Sequence, residues 1–545
     1  MNVRFILDNS NMRIISIIII LSLQIIDTNA SVSFNKPKIE VIDNLLYPKY
    51  SSNITDYYIK NCIDKLTKIK LTYNNNINNK GYFFKEGGSK RFKFNNNDIT
   101  ITCLPEKISR YNYEFKNYKK NNGYTIIDRD QSTVVYDSNG VPIWFRLYQK
   151  YSPYFTKFDN NGVMTTLLVD FNILKNNSAS LDASSASVYV MKYDLLSDKI
   201  KNIITPYEII EGVRKYPPID YHSFHESKTG YYFISYDDVF VDNVPEKYNL
   251  VSYVYDACNK SIMKTMIRTP RIIKTDFEGE VIWSYSIDLD SFSNKPSISF
   301  EDSEKSSPCI LDINHPNHVS ADENEKIISI GMRNNAIILV NKDKEILGTF
   351  LHSDNSNAND LTVYNNKLLK SFNIINDPNN NICSTHSGFI TENKEIIIYD
   401  NRCNSNESSR AVIYDFDLKN LTAKYKKSFL LSENLDNCST TPAGKINCNS
   451  IAMGAALFTK SGNILINWGD IPKSRAVLSI FNNNYEKILD IYNDPIYYKN
   501  IRPVYRSNYY DKNKFEKLAI KIKKLDKSSL SDKKRNYELT REILS

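Results

Sequence analysis

The sequence predicts an all-β protein in which a six-bladed β-propeller follows a small N-terminal β-sandwich-like domain. Three observations lead to this prediction. Short runs rich in Ile, Val, Tyr and Phe, such as "STVVYD" and "EIIIYD", are bounded by Asn, Asp, Gly and Ser along most of the chain. Similar units of several tens of residues recur from residue 225 onwards. Long helical periodicity is found only near the C-terminus.

Residues 1–30 predict a secretory signal peptide. Arg13 precedes the apolar run "IISIIIILSLQII", and "DTNA" places a small residue before Ser31. This run is too short to span a bilayer comfortably and is typical of a signal-peptide core. We therefore expect a secreted or secretory-lumen protein with no membrane span after signal removal. Tethering to a membrane by an uncleaved signal anchor is the alternative.

The eight cysteines agree with export, because an even number in a chain that enters an oxidising lumen favours disulfides. No Cys-x-x-Cys spacing occurs, which argues against zinc or thioredoxin-type chemistry. Neighbours in sequence suggest the pairs Cys62–Cys103, Cys258–Cys309, Cys383–Cys403 and Cys438–Cys448, although other connectivities stay open. The acceptor sites for N-glycosylation are Asn53, Asn176, Asn259, Asn406, Asn420 and Asn437.

Residues 31–115 form a separate unit by pattern. Its candidate strands are "YYIKNC", "KIKLTY", "RFKFNNN" and "DITITCLP", and the polar stretch "FKNYKKNNG" is the linker that follows. Short alternating strands of this kind predict a small β-sandwich-like domain.

Residues 116–510 contain the repeats. Four copies of one unit begin at His225, His315, His386 and Met453, each with a lead residue, a polar turn, a strand, a loop and a second strand. Two other segments, "TVVYDSNGVPIWF" and "IIKTDFEGEVIWSYSI", share an apolar strand, an acidic-Gly turn and a strand that contains Trp. Self-similar antiparallel units predict a β-propeller, and six blades fit this length.

The charge of the chain is spread thinly. There are 70 Lys+Arg against 62 Asp+Glu, for a formal charge of +8, and no basic patch indicates nucleic-acid binding. Residues 511–545 are the densest charged run and predict a Lys-rich, solvated helical tail. Binding of this tail to a membrane surface or an anionic polymer is the alternative interpretation.

Histidine is scarce, so its placement is informative; the six are His222, His225, His315, His318, His352 and His386. In a propeller the innermost strand of each blade lines the central channel, so residues that lead equivalent strands converge on the axis. His225, His315 and His386 each lead a repeat, and we expect their side chains to share one cavity near the axis. His222, His318 and His352 lie outside this register and are expected to be structural or exposed.

The same segments resemble the arylsulfotransferase-like family of β-propellers. "DYHSFHESKTGYYFISY" is similar to its Asp-x-His-Glu region, "INHPNHV" to its His-x-Asn motif, and "STHSGFITENKEIIIYDN" with "SSRAVIYDFD" to its His, Asp-Asn and Ser-Arg repeat. "MGAALFTKSGNILINWG" resembles its strand ending in Trp-Gly. "ITITCLPEK" and "RPVYRSNYY" resemble the ends of its N-terminal domain and of its propeller. These segments follow the family's order from about residue 100 to residue 507.

The resemblance implies transfer of sulfate from an aryl sulfate ester to a phenolic acceptor through a sulfated histidine, with no cofactor. An imidazole is a competent nucleophile, and His and Arg donors can stabilise the transferring anion. The partners would be these two small molecules, with no nucleic acid. The residues implied as catalytic are His386, His315 and His225. Those implied as substrate-binding are Asn317, Glu226 and a cationic clamp from Arg402 or Arg410, since a guanidinium fork suits a tetrahedral oxyanion.

One departure from the family pattern leaves the function open. The resemblance implies a nucleophilic histidine in a late repeat, yet no histidine follows His386, and neither Ala452 nor Met453 in "SIAMGAAL" can accept a sulfuryl group. Either an earlier histidine such as His225 or His386 is the nucleophile, or the propeller is inactive and binds a ligand or protein partner at its channel mouth. A metal site built from His225, His315 and His386 is a third alternative, since three imidazoles can hold a divalent ion.

Overall fold

The computed structural model describes residues 37–115, 123–170, 188–241, 265–287, 310–352, 370–434, 439–440, 446–447, 450, 453–493, 504 and 506–524, apart from gaps of one to four residues within these ranges. The expected signal peptide and the tail beyond residue 524 lie outside the described residues. So do the glycosylation acceptors other than Asn420, which is exposed in the turn between two strands.

Residues 37–85 and 89–104 form a first compact unit with two three-stranded sheets. Its strands are β1 (Lys38–Val41), β2 (Asp56–Ile59), β3 (Leu66–Tyr73), β4 (Asn76–Phe83), β5 (Ser89–Phe94) and β6 (Asn97–Cys103). The sheet orders are β1-β3-β4 and β2-β6-β5, and Ile39, Ile69 and Ile101 from both sheets share one apolar cluster. The predicted disulfide between Cys62 and Cys103 is present and lies in this cluster.

The second compact unit begins at residue 105. The first half of its described strands comprises β7 (Tyr111–Phe115), β8 (Tyr124–Arg129), β9 (Ser132–Tyr136), β10 (Pro142–Leu147), β11 (Tyr151–Phe158), β12 (Val163–Asp170), β13 (Val188–Asp194), β14 (Lys199–Ile204), β15 (Glu208–Ile210), β16 (Val213–Lys215), β17 (Ile219–Glu226), β18 (Tyr231–Val241), β19 (Thr265–Thr275), β20 (Val281–Ser286) and β21 (Ile310–Asp312).

The second half comprises β22 (Pro316–Ala321), β23 (Ile328–Met332), β24 (Ala336–Val340), β25 (Ile346–Leu351), β26 (Asn373–Ile375), β27 (Thr385–Ile390), β28 (Glu395–Asp400), β29 (Arg410–Asp417), β30 (Thr422–Leu430), β31 (Ser439–Thr440), β32 (Ile446–Asn447), β33 (Ala455–Phe458), β34 (Ile464–Asn467), β35 (Ala476–Phe481), β36 (Lys487–Asn493) and β37 (Ser507–Tyr510). The helices that the structure describes are α1 (Leu431–Asn434) and α2 (Lys512–Lys524).

In the described part of this unit, six sheets each contain four adjacent antiparallel strands. We call them sheets I (β37-β8-β9-β10), II (β11 to β14), III (β17 to β20), IV (β22 to β25), V (β27 to β30) and VI (β33 to β36). Strand β7 extends sheet VI, while β21 and β26 add parallel strands to sheets III and V. The prediction of an all-β chain built from four-stranded antiparallel sheets, the blade type of β-propellers, is confirmed.

The acidic-Gly turns that recur in the sequence share one hydrogen-bonding pattern. Asp276 Oδ1 accepts the backbone N–H groups of Glu278 and Glu280 at 3.0 and 2.8 Å, and Asp137 makes the equivalent turn in sheet I. Gly279 has a φ of 100°, a conformation that residues with a side chain rarely adopt. The carboxylate and the glycine together reverse the chain into the next antiparallel strand.

Apolar side chains fill the space between successive sheets. One cluster joins sheets III and IV through residues such as Ile272 and Ile338, and further clusters join II to III, IV to V and V to VI. Strands β9, β23 and β24 are buried along their whole length. Because both faces of these sheets are covered, their sequences are continuous apolar runs instead of alternating ones.

The two ends of the second unit are interleaved. Strand β7, near its start, pairs with β36 of sheet VI, whereas β37, near its end, pairs with β8 of sheet I. Arg129 bridges the seam by donating to the hydroxyl of Tyr111 at 3.1 Å and to Asn493 Oδ1 at 2.7 Å. Strand β7, which the expected boundary at residue 115 assigns to the N-terminal domain, therefore lies in the second unit.

The C-terminal helix has one buried face, which differs from the solvated helix expected from the sequence. The buried side chains recur at helical spacing and are Phe515, Leu518, Ala519 and Ile522. The ring of Phe515 lies 5.1 Å from Tyr124 and 5.6 Å from Phe158, so α2 packs on sheets I and II. Among the residues that the structure describes, no helix is long and apolar enough to cross a membrane.

Leu518→Ala is expected to lower the free energy of unfolding by about 2–3 kcal/mol, because it leaves a cavity between α2 and the turn of sheet II that contains Gly162. Lys517→Ala, on the exposed side of the same helix, is the control and should change it by less than about 0.5 kcal/mol. Urea denaturation followed by tryptophan fluorescence measures both. Equal effects of the two substitutions would mean that the helix is not packed on the sheets.

The remaining disulfide predictions involve residues outside the described part of the chain. Cys383 is disulfide-bonded, and its partner lies outside the described residues. Cys258–Cys309 and Cys438–Cys448 lie wholly outside them. These pairings stay predictions, which peptide mapping without reduction would test.

Candidate functional site

The first strands of sheets III, IV and V are irregular where they begin. In β22 the pairing register shifts at Asn317, and in β27 it shifts at His386, so each is an extra residue on its strand. In β17 the shift covers residues 221–223. Bulges of this kind re-aim side chains and are common next to active sites. Asn317, His386 and the segment 221–223 therefore occupy equivalent places in three successive sheets.

This register corrects the expected grouping of histidines. His225 follows the bulge of β17 and pairs with Tyr232, so it is not equivalent to His386. The histidine within the bulge is His222, and its ring centroid lies 5.1 Å from that of His315. Both are close enough to His386 to affect its pKa. Three extra residues in β17 displace His225 along the strand, so His222 is the histidine of β17 that the structure brings beside His315.

Asp220 holds the ring of His222. Its Oδ1 lies 2.5 Å from Nδ1 of His222 and accepts the His222 backbone N–H at 2.6 Å, while Oδ2 accepts the hydroxyl of Tyr236 at 2.9 Å. Burial alone would raise the pKa of Asp220, but its interactions with His222, and the nearby His315, together lower that pKa to about 2. Asp220 is thus an ionised carboxylate that keeps a proton on Nδ1 of His222. Proton exchange with a bound molecule is left to Nε2.

His386 has a defined tautomer. Nδ2 of Asn401 lies 2.9 Å from the carbonyl oxygen of Ser450 and 3.0 Å from that of Met453, so this end of the amide is the donor. Asn401 Oδ1 must then accept from Nδ1 of His386, 2.6 Å away. Burial first, and then the charge of Arg333, lowers the pKa of His386 well below its usual range. His386 is therefore neutral near pH 7, with its lone pair on Nε2.

Arg333 is a candidate that the sequence reasoning missed. It directly follows β23, and its backbone N–H donates to the carbonyl oxygen of His315 at 3.1 Å. Its positive charge affects the pKa of His386, so it supplies a cation near that ring. The signal that could have identified it is its place in "GMRNNAI", at the end of the strand that pairs with the His-x-Asn segment.

The two arginines expected as the cationic clamp are held by carboxylates. Arg410 is completely buried and donates from Nε to Asp400 at 3.0 Å and from its terminal nitrogens to both oxygens of Asp377 at 2.8 and 2.9 Å. Arg402 donates to Asp400 at 3.2 Å and from Nε to Glu407 at 2.7 Å. These contacts neutralise both guanidinium groups and account for their placement.

His225 and Glu226, the residues of β17 that were expected in the site, both follow the bulge in the strand. Glu226 lies 2.9 Å from Nζ of Lys157 and 3.7 Å from Nζ of Lys192, so lysines of sheet II neutralise it. Burial, and then the charge of Lys157, lowers the pKa of His225 to about 3. His225 is thus a neutral ring in a salt-bridged environment.

Asn317 links sheets IV and V beside His386. Its Nδ2 donates to the carbonyl oxygen of Thr385 at 2.8 Å, and Nε2 of the buried His352 lies 3.1 Å from Thr385 Oγ1. Nε2 of the buried His318 lies 3.0 Å from the carbonyl oxygen of Gly388. His318 and His352 thus have buried polar contacts, whereas His222, which was expected with them to be structural or exposed, lies beside His315.

The residues do not form the metal site considered from the sequence. Across the described ranges, no group of three or more His, Cys, Asp or Glu side chains is arranged to hold a metal ion. His225, His315 and His386 all lie within those ranges. Instead, the neutral imidazole of His386 lies near the imidazole of His222, which Asp220 holds. The nearby donors are the cation of Arg333 and the amide of Asn317. Such a set can attack, protonate and stabilise an anion.

Comparison with known proteins finds similarity only among solved structures, since the sequence matches no protein-family model and no curated protein. The β-propeller domain of Myceliophteria thermophila Cps50 (Swd1) is 9% identical, with a TM-score of 0.33, and the match covers 72% of this chain and 88% of that one. A putative 6-phosphogluconolactonase from Bacteroides fragilis is 10% identical, with a TM-score of 0.35 and coverage of 73% and 100%. Kuenenia stuttgartiensis hydrazine synthase is 9% identical, with a TM-score of 0.27 and coverage of 63% and 66%. These similarities are to β-propeller proteins and assign no family.

Proposed function

We propose that the protein is an arylsulfotransferase-like enzyme that transfers sulfate from an aryl sulfate ester to a phenolic acceptor, with His386 as the nucleophile. One observation carries the proposal: His386 is buried and neutral, and Asn401 fixes its proton on Nδ1, which leaves the lone pair on Nε2. A neutral imidazole in this state is a competent nucleophile. His386 would therefore be the nucleophile in place of the late-repeat histidine that the family resemblance implies and this sequence lacks.

The mechanism needs two displacements at sulfur. Nε2 of His386 attacks the sulfur atom and forms an S–N bond, while the S–O bond to the aryl group breaks and the phenolate leaves with the electron pair. His222, held by Asp220, donates a proton to that phenolate and later accepts the proton of the incoming phenol. The phenol oxygen then attacks sulfur and the S–N bond breaks. Arg333, His315 and Asn317 would stabilise the sulfate oxygens.

Aromatic residues next to the proposed proton donor support an aryl substrate. The ring of Tyr221 stacks on that of His222 with centroids 4.7 Å apart, and Tyr154 lies 5.3 Å from Tyr221. Both tyrosines are half-buried. A phenyl ring could extend this row of neighbouring rings, because aromatic pairs are favoured at such separations.

The fold and location complete the proposal. Sheets I to VI would close into a six-bladed propeller, with the interleaved β7 and β37 joining sheet VI to sheet I, after a β-sandwich-like domain. The signal-like N-terminus and the Cys62–Cys103 disulfide support secretion or a secretory lumen, with membrane tethering as the alternative.

The test is transfer of sulfate from p-nitrophenyl sulfate to phenol by the purified protein, with and without a chelator. Release of p-nitrophenol that depends on phenol, is unaffected by chelator and is accompanied by phenyl sulfate would support the proposal. Mass spectrometry of the rapidly quenched enzyme should find one SO₃ group on the peptide that contains His386. Absence of transfer by folded protein would favour the alternative, an inactive propeller that binds a ligand or protein partner.

Asn401→Asp is expected to move the acidic limb of the pH–rate profile to higher pH. A carboxylate beside Nδ1 favours the imidazolium and so raises the pKa of His386, whereas only the neutral ring has a nucleophilic lone pair. Asn493→Asp is the matched control, since this buried asparagine accepts a hydrogen bond from Arg129 at the seam between sheets I and VI. Identical profiles for Asn401→Asp and wild type would argue against the tautomer assignment.

His222→Ala is expected to slow transfer about 100-fold, the usual contribution of a positioned acid or base. The loss should be smaller for leaving groups that are more acidic phenols, because they need less protonation. His225→Ala, three residues away in the same strand, should change the rate by less than about threefold. Rates with a series of substituted phenyl sulfates measure both. A larger loss of rate in His225→Ala than in His222→Ala would support the grouping of His225 with His315 and His386 that the sequence led us to expect.

A further inference from the structure

Arg506, immediately before β37, extends from sheet I to the bulges of three other sheets. Nη1 donates to Oγ of Ser223 at 3.3 Å, and Nη2 donates to the carbonyl oxygens of Asn317 at 3.0 Å and His386 at 3.4 Å. The three acceptors belong to β17, β22 and β27. One planar group therefore contacts all three strands at their irregular positions.

The surroundings of Arg506 fix its orientation. Its side chain is 5% exposed, and its guanidinium carbon lies 4.8 Å from the ring centroid of Phe155 and 5.8 Å from that of Phe389. Aromatic faces on sheets II and V thus hold the plane of the fork. A guanidinium can direct donors to several acceptors at once, whereas an ammonium on a flexible stem cannot do so in the same geometry.

The carbonyl groups of Asn317 and His386 belong to bulged residues, which explains why they accept from Arg506. A bulge interrupts the ladder, so the backbone of its extra residue needs hydrogen-bond partners from elsewhere. Arg506 supplies such a partner to Asn317 and to His386, and the side chains of both residues belong to the proposed site. Ser223, the third acceptor, in turn accepts the backbone N–H of Val319 at 2.9 Å and so joins sheets III and IV.

We propose that Arg506 is a positioning residue that sets Asn317 and His386 relative to one another and thereby couples completion of sheet I by β37 to the geometry of the site. The positioning is independent of the reaction, whereas its effect on rate rests on the proposed function. The proposal makes the C-terminal strand part of the site, although that strand carries none of its reacting groups.

The experiment compares Arg506→Lys with Arg129→Lys. Arg129 is also buried, but it bridges sheets I and VI and contacts none of the three bulges. Two quantities are measured on the full chain: transfer kinetics with p-nitrophenyl sulfate and phenol, and the NMR signals of isotopically labelled histidine, of which the chain has only six. Arg506→Lys is expected to lower kcat about 100-fold with a smaller change in KM, as a small misplacement of a nucleophile does. It should also shift the signal of His386.

Arg129→Lys should lower the melting temperature but leave kcat and the His386 signal unchanged. The proposal is overturned if Arg506→Lys leaves the His386 signal at its wild-type position, or if both variants lower kcat equally. If Arg506→Lys does not fold, Ser223→Ala, which removes one acceptor of the fork, must still shift the His386 signal. If the wild type transfers no sulfate, the proposed function fails, but the NMR comparison decides the positioning role by itself.

Discussion

His386→Ala is expected to reduce sulfate transfer by about 1,000-fold or more, because it removes the nucleophilic imidazole that Asn401 orients. The covalent intermediate should disappear as well, so the quenched variant should carry no SO₃ group on the corresponding peptide. A residual rate from the anion-stabilising residues alone would remain above the uncatalysed reaction. Initial rates at saturating donor, together with peptide mass spectrometry, measure both effects.

The controls separate this role from a loss of folding. His225→Ala replaces a histidine that follows the bulge, and it should retain transfer close to that of the wild type. His352 also lies outside the register of the repeats, but it is unsuitable as a control because it contacts Thr385, the neighbour of His386. Retention of the SO₃ group by His386→Ala would place the nucleophile elsewhere. Equal losses in His386→Ala and His225→Ala would indicate general destabilisation.

Asp377→Ala is expected to lower the free energy of unfolding by about 3–5 kcal/mol, the usual cost of breaking a buried ion pair from one side. Arg410, completely buried, would lose both hydrogen bonds to this carboxylate, and the hydroxyl of Tyr414 would lose an acceptor at 2.5 Å. Restoring apolar packing with the double variant Asp377→Ala, Arg410→Met should recover part of the loss. Chemical denaturation at pH 7 measures the series.

Asp415→Ala, in the same strand as Arg410, is the matched control, since this carboxylate is half exposed and lies 3.2 Å from Nζ of Lys426. It should cost less than about 1 kcal/mol, as exposed ion pairs do. An equally small cost for Asp377→Ala would mean that water reaches the network around Arg410 and that the sheet tolerates its loss.

The strands and their turns could be predicted because local chemistry determines them. β9 and β28 are apolar runs of β-branched and aromatic residues, and Asp276 with Gly279 fixes a turn whatever surrounds it. The C-terminal helix could be predicted from its sequence pattern, and the structure describes it as far as residue 524. The burial of one of its faces could not be predicted. A Lys-rich sequence indicates solvation, whereas the burial depends on the sheets that Phe515 contacts.

The site could be predicted only in part, because it depends on register between distant strands. Nothing local distinguishes His222 from His225, and only the three-residue bulge in β17 brings the first beside His315. Arg333 and Arg410 present a similar problem. Both are arginines near strand ends, and nothing local to Arg410 shows that the buried carboxylate of Asp377, 33 residues away in the chain, binds it.

The interleaved ends of the second unit also bear on how the chain reaches its native state. Arg129 and Asn493 are separated by 364 residues, and bringing such distant segments together costs about 5 kcal/mol in chain entropy. One hydrogen bond returns only about 1 kcal/mol, so the ends cannot be held by isolated contacts. They associate stably only when β7 pairs with β36 and β37 pairs with β8 along their length. We therefore expect ordering of the last strand to await synthesis past residue 510, and a chain released before that point would leave the edge of β8 unpaired and open to aggregation.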